Sequence, residues 1–485
     1  MLASIFFLYL YICVQSIFSG IGGDLRISKR IESSINLMVS SRSAVINRLK
    51  GSDGDRRAVY RIINNKKWSM DEFVKPLYEE CSRNASGFSH VLCVQDTTEL
   101  NYDNIRGRID AHDEDFGYGT HKDSLNSLFI HPSLVLNASN GLPLGFSSLK
   151  IWGRGNRPTR GTHERKSIPI QEKESFRWLD SALSTAEHLP SHVRKTMVGD
   201  RENDVYEVIC GTLQCGCDFL IRSSSDRTTT SDNRKLSEII SQTPVACTYE
   251  FPLIGRKGRQ NRTAIMELRF TKVILRAPSS ALSKVSDELQ VWCIHTKEKK
   301  GSVPEGEEPI EWRLLTSHEV STVSQAMECI GWYKLRWTIE SLFRVVKSKG
   351  FSLDAAQIES GAAMKKLIGM AFVAAFRVMA LKTAHEEQLE DIPARIIFTE
   401  EQLAIMRSLL PGLEPQSKKA TKGMNPHKEG SLPWAAWIVA MLAGGWSGRL
   451  TDKNKPGYIK FLQGWEKLET IMWAIKKMKI NVYKD

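Results

Sequence analysis

The sequence predicts an α/β protein in which a mixed sheet is extended by an all-β stretch and flanked by helical regions. Two apolar runs of strand length end directly on an aspartate, at Asp96 and at Asp200. Between residues 225 and 316 apolar residues recur at every second position, which is the period of a strand. Before residue 70 and beyond residue 350 they recur at helical spacing. Elements in this order are typical of an α/β fold.

The first 70 residues are predicted to form a basic helical region. The segments DLRISKRIESSINLMVSS and RRAVYRIINN each place apolar residues at helical spacing. The second segment carries Arg56, Arg57 and Arg61, which could contact nucleic-acid phosphates. A solvated charged face explains the same arginines, so both interpretations stay open.

The chain starts with the apolar run Leu2–Val14, which no Lys or Arg precedes. A secretory signal has a basic segment before its apolar run. A membrane-spanning helix needs about 20 apolar residues, and Gln15 and Ser16 interrupt this run early. We expect a buried or poorly fitting first helix, with export as the minority alternative. No other segment is predicted to span a membrane.

The predicted sheet begins with the strand Val91–Gln95, which Asp96 follows. The runs at 124–137 and 142–152 then predict a hairpin that turns at Gly141. A carboxylate at the end of a buried strand is costly without a partner. We therefore expect Asp96 to cap a turn or to bind a ligand.

A second strand, helix and aspartate follow. The stretch EKESFRWLDSALSTAEHL predicts a helix, TMVG a strand that ends on Asp200, RENDVYEVICGTL a helix, and CDFLIRSS a further strand. In α/β folds, sites lie at the carboxyl ends of strands. Asp96 and Asp200 are both predicted to lie there.

The stretch Tyr333–Lys347 (YKLRWTIESLFRVVK) follows the all-β stretch. On a helix of about 100° per residue, Tyr333, Arg336, Glu340 and Lys347 fall within an arc of roughly 60°. The apolar residues Ile339, Leu342, Val345 and Val346 face elsewhere and predict a buried side. A surface helix with an Arg336–Glu340 ion pair accounts for the same spacing.

The charge distribution indicates a polyanionic partner. The net charge is +12, with +7 within residues 1–70 and +7 within residues 401–485, so the middle of the chain carries about −2. Basic ends around a nearly neutral centre fit a protein that grips the DNA backbone with its flanks. Basic termini that serve only solubility remain the alternative.

The nine cysteines form no disulfide framework and indicate a reducing compartment. Their one cluster, Cys210, Cys215 and Cys217, lacks a fourth ligand and a nearby histidine, so we expect buried thiols and no zinc site. The tryptophans Trp434, Trp437, Trp465 and Trp473 are expected to pack a core or a partner interface.

Asp96, Asp200 and Glu340 come from two strand ends and one helix face, which can converge. Carboxylates are the ligands of hard cations, and Mg²⁺ or Mn²⁺ held by them with substrate phosphates catalyses displacement at phosphorus. The residues therefore predict a site for two such ions and metal-dependent phosphoryl transfer. Paired carboxylates are also typical of a glycosidase, but the basic ends and the Arg and Lys neighbours of Glu340 argue against that function.

The strings VQDTTEL, VGDREND and YKLRWTIESLFRVVK resemble the three acidic motifs of bacterial insertion-sequence DDE transposases, those of the insertion-sequence-four family. That family carries a Tyr-x2-Arg-x3-Glu-x6-Lys signature, which stands here as Tyr333, Arg336, Glu340 and Lys347. The segments AVYRI, EKESFRWL, GSLPWA and GWEKL extend the resemblance over most of the chain.

The resemblance implies a ribonuclease-H-like catalytic core with an all-β insertion, between helical N- and C-terminal domains. The implied domains are a DNA-binding domain at 1–70, a catalytic domain at 71–365 with the insertion at about 225–316, and a dimerisation domain at 366–485. It also implies a homodimer on double-stranded DNA, bound at element ends and target, and a cytoplasmic, nucleoid-associated protein.

The resemblance further implies residue roles. Asp96, Asp200 and Glu340 would bind two Mg²⁺ or Mn²⁺ ions, and Tyr333, Arg336 and Lys347 would contact DNA phosphates. Trp312 would stack on a flipped base, or else pack as a core residue; Trp337 and Arg61 are further DNA-contact candidates. The implied reaction is nicking, hairpin formation and strand transfer. A nuclease that only hydrolyses and an inactive DNA-binding inhibitor remain the alternatives.

Overall fold

The structure is a computed structural model that describes residues 17–110, 112–155, 168–253, 261–279, 285–347, 350–415, 423–444, 446 and 455–478. The helix predicted at Leu2–Val14 lies outside the described residues.

Among the residues that the structure describes, three α-helices precede the sheet: α1 (Leu25–Ser41), α2 (Asp53–Ile63) and α3 (Met70–Ala85). Each begins at a side-chain cap, because an oxygen before the first turn accepts one of the free backbone N–H groups there. Ser52 and Ser69 complete reciprocal capping boxes with Asp55 and Glu72. The sequence patterns predicted α1 and α2 and missed α3.

Ten strands of the described residues form one mixed sheet. They are β1 (His90–Gln95), β2 (Thr98–Asn101), β3 (Ser127–Asn137), β4 (Pro143–Trp152), β5 (Arg194–Gly199), β6 (Asp218–Arg222), β7 (Cys247–Leu253), β8 (Arg262–Arg276), β9 (Glu288–Glu298) and β10 (Glu311–Thr316). Their order in the sheet is β2-β3-β1-β5-β6-β10-β9-β8-β7, with β4 paired to β3. Among these ten strands, only the pairs β1–β5 and β5–β6 are parallel.

The predicted hairpin is confirmed as the antiparallel pair β3–β4. Its turn places Gly141 at a φ of 71°, in the left-handed region that a side chain disfavours. A Cβ at Gly141 would also approach Leu335 Cδ2 to 2.9 Å. The positive φ of the turn is therefore what requires the glycine, because the end of the Leu335 side chain could shift to admit a Cβ.

The remaining helices within the described residues are α4 (Phe176–His188), α5 (Tyr206–Gln214), α6 (Leu236–Gln242), α7 (Val323–Leu335), α8 (Trp337–Val346), α9 (Gly361–Glu386), α10 (Glu400–Leu413), α11 (Leu432–Leu442) and α12 (Tyr458–Met478). The helices and strands predicted around Asp200 are confirmed as α4, β5, α5 and β6.

The stretch predicted to be all-β at 225–316 contains the helix α6, so that prediction is wrong in this part. Its strands β7 to β10 also continue the central sheet, because β10 pairs with β6 and places Thr316 opposite Leu220. Alternation along single strands shows that they are strands but carries no information on which strand they join.

Helix α9 lies at the centre of the protein and packs against α1, α8, α11 and β4. One cluster of buried hydrophobic residues extends from Phe18 to Met472 through all three predicted domains. The predicted domain border at 365/366 falls inside α9, and the domain limits stay predictions.

By length and composition α9 could cross a membrane, and 78% of its most apolar window is buried within the protein. The expectation that no segment beyond the N-terminal run has this composition is wrong. A helix surrounded by other helices and a sheet needs apolar residues on all sides, which gives it the composition of a membrane span.

The prediction of buried thiols is confirmed in part: Cys210 and Cys217 are buried, and Cys215 is half-buried. Trp434, Trp437 and Trp465 are buried in the core, whereas Trp473 on α12 is 63% exposed.

Close packing of α11 on α12 generates a stability prediction. A Cβ at Gly464 would lie 1.7 Å from Val439 O, so Gly464→Ala must separate the two helices. We expect a loss of about 1–3 kcal/mol, measured as a lower midpoint of thermal unfolding.

The matched control is Gly331→Ala on α7, where a Cβ meets nothing within 4 Å. Alanine is the better helix former by about 1 kcal/mol, so this variant should be as stable as the parent or more stable. Equal midpoints for the two variants would contradict the packing argument.

Candidate active site

Asp96 and Asp200 lie side by side at the carboxyl ends of the parallel strands β1 and β5. Val94 is opposite Val198 in the strand pair, and each aspartate follows two residues later. Local turns fix both carboxylates: Asp96 Oδ1 accepts from the Thr97 backbone N–H at 2.7 Å, and Asp200 Oδ1 from that of Glu202 at 2.8 Å. Parallel pairing in register therefore brings together two acids that are 104 residues apart.

Glu340 joins them from the first turn of α8, a helix that packs against β1. Arg336 lies between the acids: its Nη1 donates to Asp96 Oδ2 at 3.3 Å, and its Nη2 donates to Glu340 Oε1 at 2.6 Å. Both carboxylates are thus within the span of one guanidinium group. The predicted Arg336–Glu340 pair is present, but Arg336 is only 7% exposed and does not lie on a solvated surface face.

The helix predicted over Tyr333–Lys347 is broken into α7 and α8 at Arg336, which keeps helical dihedral angles. Lys347 follows the end of α8 in an extended conformation, so the single-helix projection is wrong at this residue. The apolar face is confirmed, since Ile339, Leu342, Val345 and Val346 are all buried.

The acids act on one another electrostatically. Burial, followed by the charge of Asp200, raises the pKa of Asp96 to about 6. The Thr97 amide and the charge of Arg336 lower this pKa, and the charge of Glu340 raises it further. Burial disfavours the charge of Arg336, yet its hydrogen bond to Glu340 and the surrounding negative charge leave its pKa above the ordinary value. The site is therefore a partly buried carboxylate group with one arginine as its internal counter-charge.

Three aromatic residues line the approach to this group. Tyr333 is buried, and burial raises the pKa of its hydroxyl against the nearby charges of Arg336 and Arg222. Trp312 on β10 is half-buried, with its ring centroid 5.4 Å from those of Phe251 and Tyr333. Trp337 is 51% exposed, and its ring centroid is 5.0 Å from Arg336 Cζ.

Two predicted DNA-contact residues lie further out. Lys347 is half-buried; burial lowers its pKa, and the charges that oppose this are those of Asp354 and Glu99. Arg61 is on the exposed side of the last turn of α2. The contacts described here place neither residue beside the three acids.

Sequence reasoning missed Arg222, which ends β6 next to β5. Burial lowers its pKa, as do Arg201 and Arg336, whereas Tyr333 and Asp200 raise it. Its Nη2 donates to the Glu311 carbonyl at 2.8 Å. The sequence could have indicated Arg222, because it ends a third predicted strand in the string LIRSS.

Sequence reasoning also missed Arg177 at the start of α4. Its Nε donates to Thr97 Oγ1 at 2.8 Å, and its Nη2 donates to Glu202 Oε2 at 2.7 Å. It therefore contacts the residue after Asp96 and the turn after Asp200. The string EKESFRWL contains it, but nothing in that string indicates a partner on β1.

The donor set fits a hard divalent cation, because it consists of carboxylates that repel one another and are partly removed from water. Over the described part of the chain, however, no three His, Cys, Asp or Glu side chains are grouped to hold a metal ion. Arg336 lies between Asp96 and Glu340 and forms an ion pair with each of them.

Residues 177–377 match the family model of the transposase DDE domain. The match supports a DDE transposase. The matched stretch contains Asp200, Glu340 and the tyrosine, arginine and lysine that accompany it, whereas Asp96 lies before it. The mixed α/β sheet with helices on it is consistent with the ribonuclease-H-like fold of such a transposase domain. The parallel register of β1 and β5 places Asp96 beside Asp200, which lies within the matched stretch.

A cavity of about 2990 Å³ lies elsewhere in the protein, lined by residues of α1, α3 and α9 that include Leu37, Arg83 and Phe376. It does not include the three acids, so the candidate site is defined by its carboxylates and not by a cavity.

The raised pKa of Asp96 generates a pH prediction. The folded state holds this proton more tightly than the unfolded chain, whose pKa is 3.8. The resulting stabilisation is full below about pH 4 and is lost as the pH rises through 6. Asp96→Asn removes the charge, so it should raise stability at pH 7.5, by up to about 3 kcal/mol, and have little effect at pH 4. Thermal unfolding at both pH values measures this.

Asp103→Asn is the control with the opposite sign. Burial opposes ionisation of Asp103, but hydrogen bonds from Asn101, Asn126 and backbone N–H groups outweigh it and lower its pKa to about 2. Asparagine there should reduce stability at pH 7.5. If Asp96→Asn also destabilises at that pH, the electrostatic description of the site is wrong.

Proposed function

We propose that this protein is a DNA transposase of the insertion-sequence-four family, similar to the transposon-five transposase. It cuts and joins the ends of an insertion sequence by metal-dependent phosphoryl transfer. The observation that carries the proposal is the pairing of Arg336 with both Asp96 and Glu340, with the charge of Asp200 acting on Asp96, in a chain whose residues 177–377 match the transposase DDE domain.

In this proposal the three carboxylates hold two Mg²⁺ or Mn²⁺ ions, which would activate an attacking oxygen and stabilise the leaving one. The protein contributes the position of these ligands. Asp96 and Asp200 are held by neighbouring backbone N–H groups, and Glu340 is on a helix packed against β1, so all three are attached to regular elements. Rigid placement is what displacement at phosphorus requires.

Arg336 is the proposed phosphate ligand nearest to the acids. Its Nε is buried and has no hydrogen-bond partner among the described residues. A buried unpaired donor is costly, and a DNA phosphate oxygen would accept from it. The charge of Arg222 acts on both Arg336 and Tyr333. Arg222 would therefore extend the positive charge along the strand ends, where a DNA backbone would pass, and Tyr333 would offer a neutral hydroxyl beside it.

Trp312 and Trp337 are proposed to contact bases. Trp337 presents an exposed ring beside Arg336, which suits stacking without sequence readout. Trp312 is half-buried against Phe251 and Tyr333, so one part of its ring packs in the protein and another is exposed. Lys347 and Arg61 are proposed to contact the backbone further from the scissile bond.

The proposed reaction sequence uses one site repeatedly. Water nicks one strand at the element end, and the freed 3′-OH attacks the opposite strand to form a hairpin. Water reopens the hairpin, and the 3′-OH is then joined to target DNA. The proposal includes a homodimer on two double-stranded ends, with residues 1–70 on the end sequences and residues 366–485 at the dimer interface. It also includes cytoplasmic, nucleoid-associated action.

The test is cleavage of a labelled duplex that carries the terminal repeats flanking the gene, with and without Mg²⁺. Glu340→Gln keeps a hydrogen-bond acceptor for Arg336 but loses the ligand charge. We expect it to reduce nicking by more than 100-fold, a loss of more than about 2.7 kcal/mol of transition-state stabilisation. Binding of the duplex should stay within about threefold, because the basic flanks are unchanged.

Glu328→Gln is the matched control, since Glu328 is an exposed glutamate on α7. It should cut normally. Cleavage without a joined product when a target plasmid is supplied would instead support a nuclease. Unchanged nicking in Glu340→Gln would exclude the proposed site.

A further inference from the structure

We propose that Arg177 is a positioning residue that sets the spacing between the Asp96 and Asp200 carboxylates and thereby the affinity for divalent cations. This inference rests on the proposed function, since it concerns the same site. It adds a residue that contacts neither the proposed cation ligands nor, in the proposed reaction, the DNA.

The contacts of Arg177 are symmetrical about the two strand ends. On one side its Nε donates to the hydroxyl of Thr97, whose backbone N–H donates to Asp96. On the other its Nη2 donates to the carboxylate of Glu202, whose backbone N–H donates to Asp200. A single guanidinium group thus holds both residues that orient the acids.

A third contact fixes the guanidinium group itself. Arg177 Nη1 donates to the Glu174 carbonyl at 2.9 Å, just before α4 begins. The side chain is 13% exposed. Each of the three guanidinium nitrogens therefore donates a hydrogen bond. The single ammonium nitrogen of a lysine cannot reproduce this planar arrangement.

Thr97 is held in turn by a buried relay. Because its Oγ1 accepts from Arg177 Nε, its hydroxyl hydrogen is free to donate to His131 Nδ1 at 2.9 Å. His131 Nε2 then donates to Gln95 Oε1 at 3.2 Å. His131 is fully buried, and burial keeps its pKa well below the ordinary value, so the neutral ring fits this direction of donation.

The energetic argument separates positioning from general stability. Glu202 is 64% exposed, so its ion pair with Arg177 is worth at most about 1 kcal/mol to folding. Asp96 and Asp200, however, repel each other. Asp96 and Thr97 lie between the end of β1 and the start of β2, and Asp200 follows the end of β5, so these residues lie outside the strands. The link through Arg177 restrains this spacing by way of Thr97 and Glu202. Groups that orient metal ligands are worth about 10- to 100-fold in metal affinity.

The experiment measures Mn²⁺ binding to the full-length protein by the signal of free Mn²⁺ in electron paramagnetic resonance, beside thermal unfolding. Arg177→Met should weaken binding at least tenfold while the unfolding midpoint falls by only a few degrees. Arg177→Lys should remain weakened, because charge alone does not restore the fork. Thr97→Val should weaken Mn²⁺ binding, whereas Thr97→Ser, which keeps the hydroxyl, should bind Mn²⁺ with the parent affinity. The Arg177→Met/Thr97→Val double variant should bind Mn²⁺ no more weakly than the single variant of lower affinity, because both changes break the same link.

Arg154→Met is the matched control. Arg154 is also a partly buried, ion-paired arginine near the start of α4, with Glu174 as its partner and a guanidinium carbon 3.8 Å from the ring centroid of Phe129. Its loss should leave the Mn²⁺ affinity unchanged. Equal weakening by Arg154→Met and Arg177→Met would show a general structural effect and overturn the inference.

The results also distinguish this inference from the proposed function. If the parent protein binds Mn²⁺ and nicks DNA while Arg177→Met binds with the parent affinity, only the role of Arg177 is overturned. If the parent neither binds Mn²⁺ nor nicks DNA, both proposals are overturned.

Discussion

The site depends on keeping three carboxylates close together in a partly buried place, against their mutual repulsion. Arg336 supplies the opposing charge from within the group, by hydrogen bonds to Asp96 and Glu340. The pKa of Asp96 stays raised, first by burial and then by the charge of Asp200, so Arg336 does not fully offset these two effects. A group of acids left under-neutralised in this way costs folding free energy and gains it back when a cation binds.

The rest of the fold can be understood as support for that costly arrangement. Strands β1 and β5 are parallel and buried, which places two aspartates level at one edge of the sheet. Helix α9 supports the third acid, since α8 packs on it and it is itself enclosed by α1, α11 and β4. Because one hydrophobic core joins these parts, the position of Glu340 relative to the strands is fixed by packing that extends from the N-terminal helices to α12.

Two sets of arginines lie near the acids. Arg336 and Arg222 face the carboxylates and the strand ends, where phosphates would lie, whereas Arg177 and Arg154 hold the turns and the start of α4. In the proposed function, the first pair would face the DNA backbone, whereas Arg177 and Arg154 are paired with acids of the protein.

The sequence by itself determined the local chemistry. The strand ends at Asp96 and Asp200, the hairpin at Gly141, the buried face of α8 and the acid–base signature around Glu340 depend on periodicity and on neighbours within a few residues, which are visible in the chain. The tertiary structure decided what long-range pairing controls. Alternation does not identify a partner strand, so the attachment of β10 to β6 was not predictable. Spacing does not reveal a break at Arg336, and a charged residue such as Arg177 has no visible partner until β1 and β5 are brought beside α4. The apolar composition of α9 was equally ambiguous, because a core and a membrane both select apolar side chains and only the surrounding elements show which one is present.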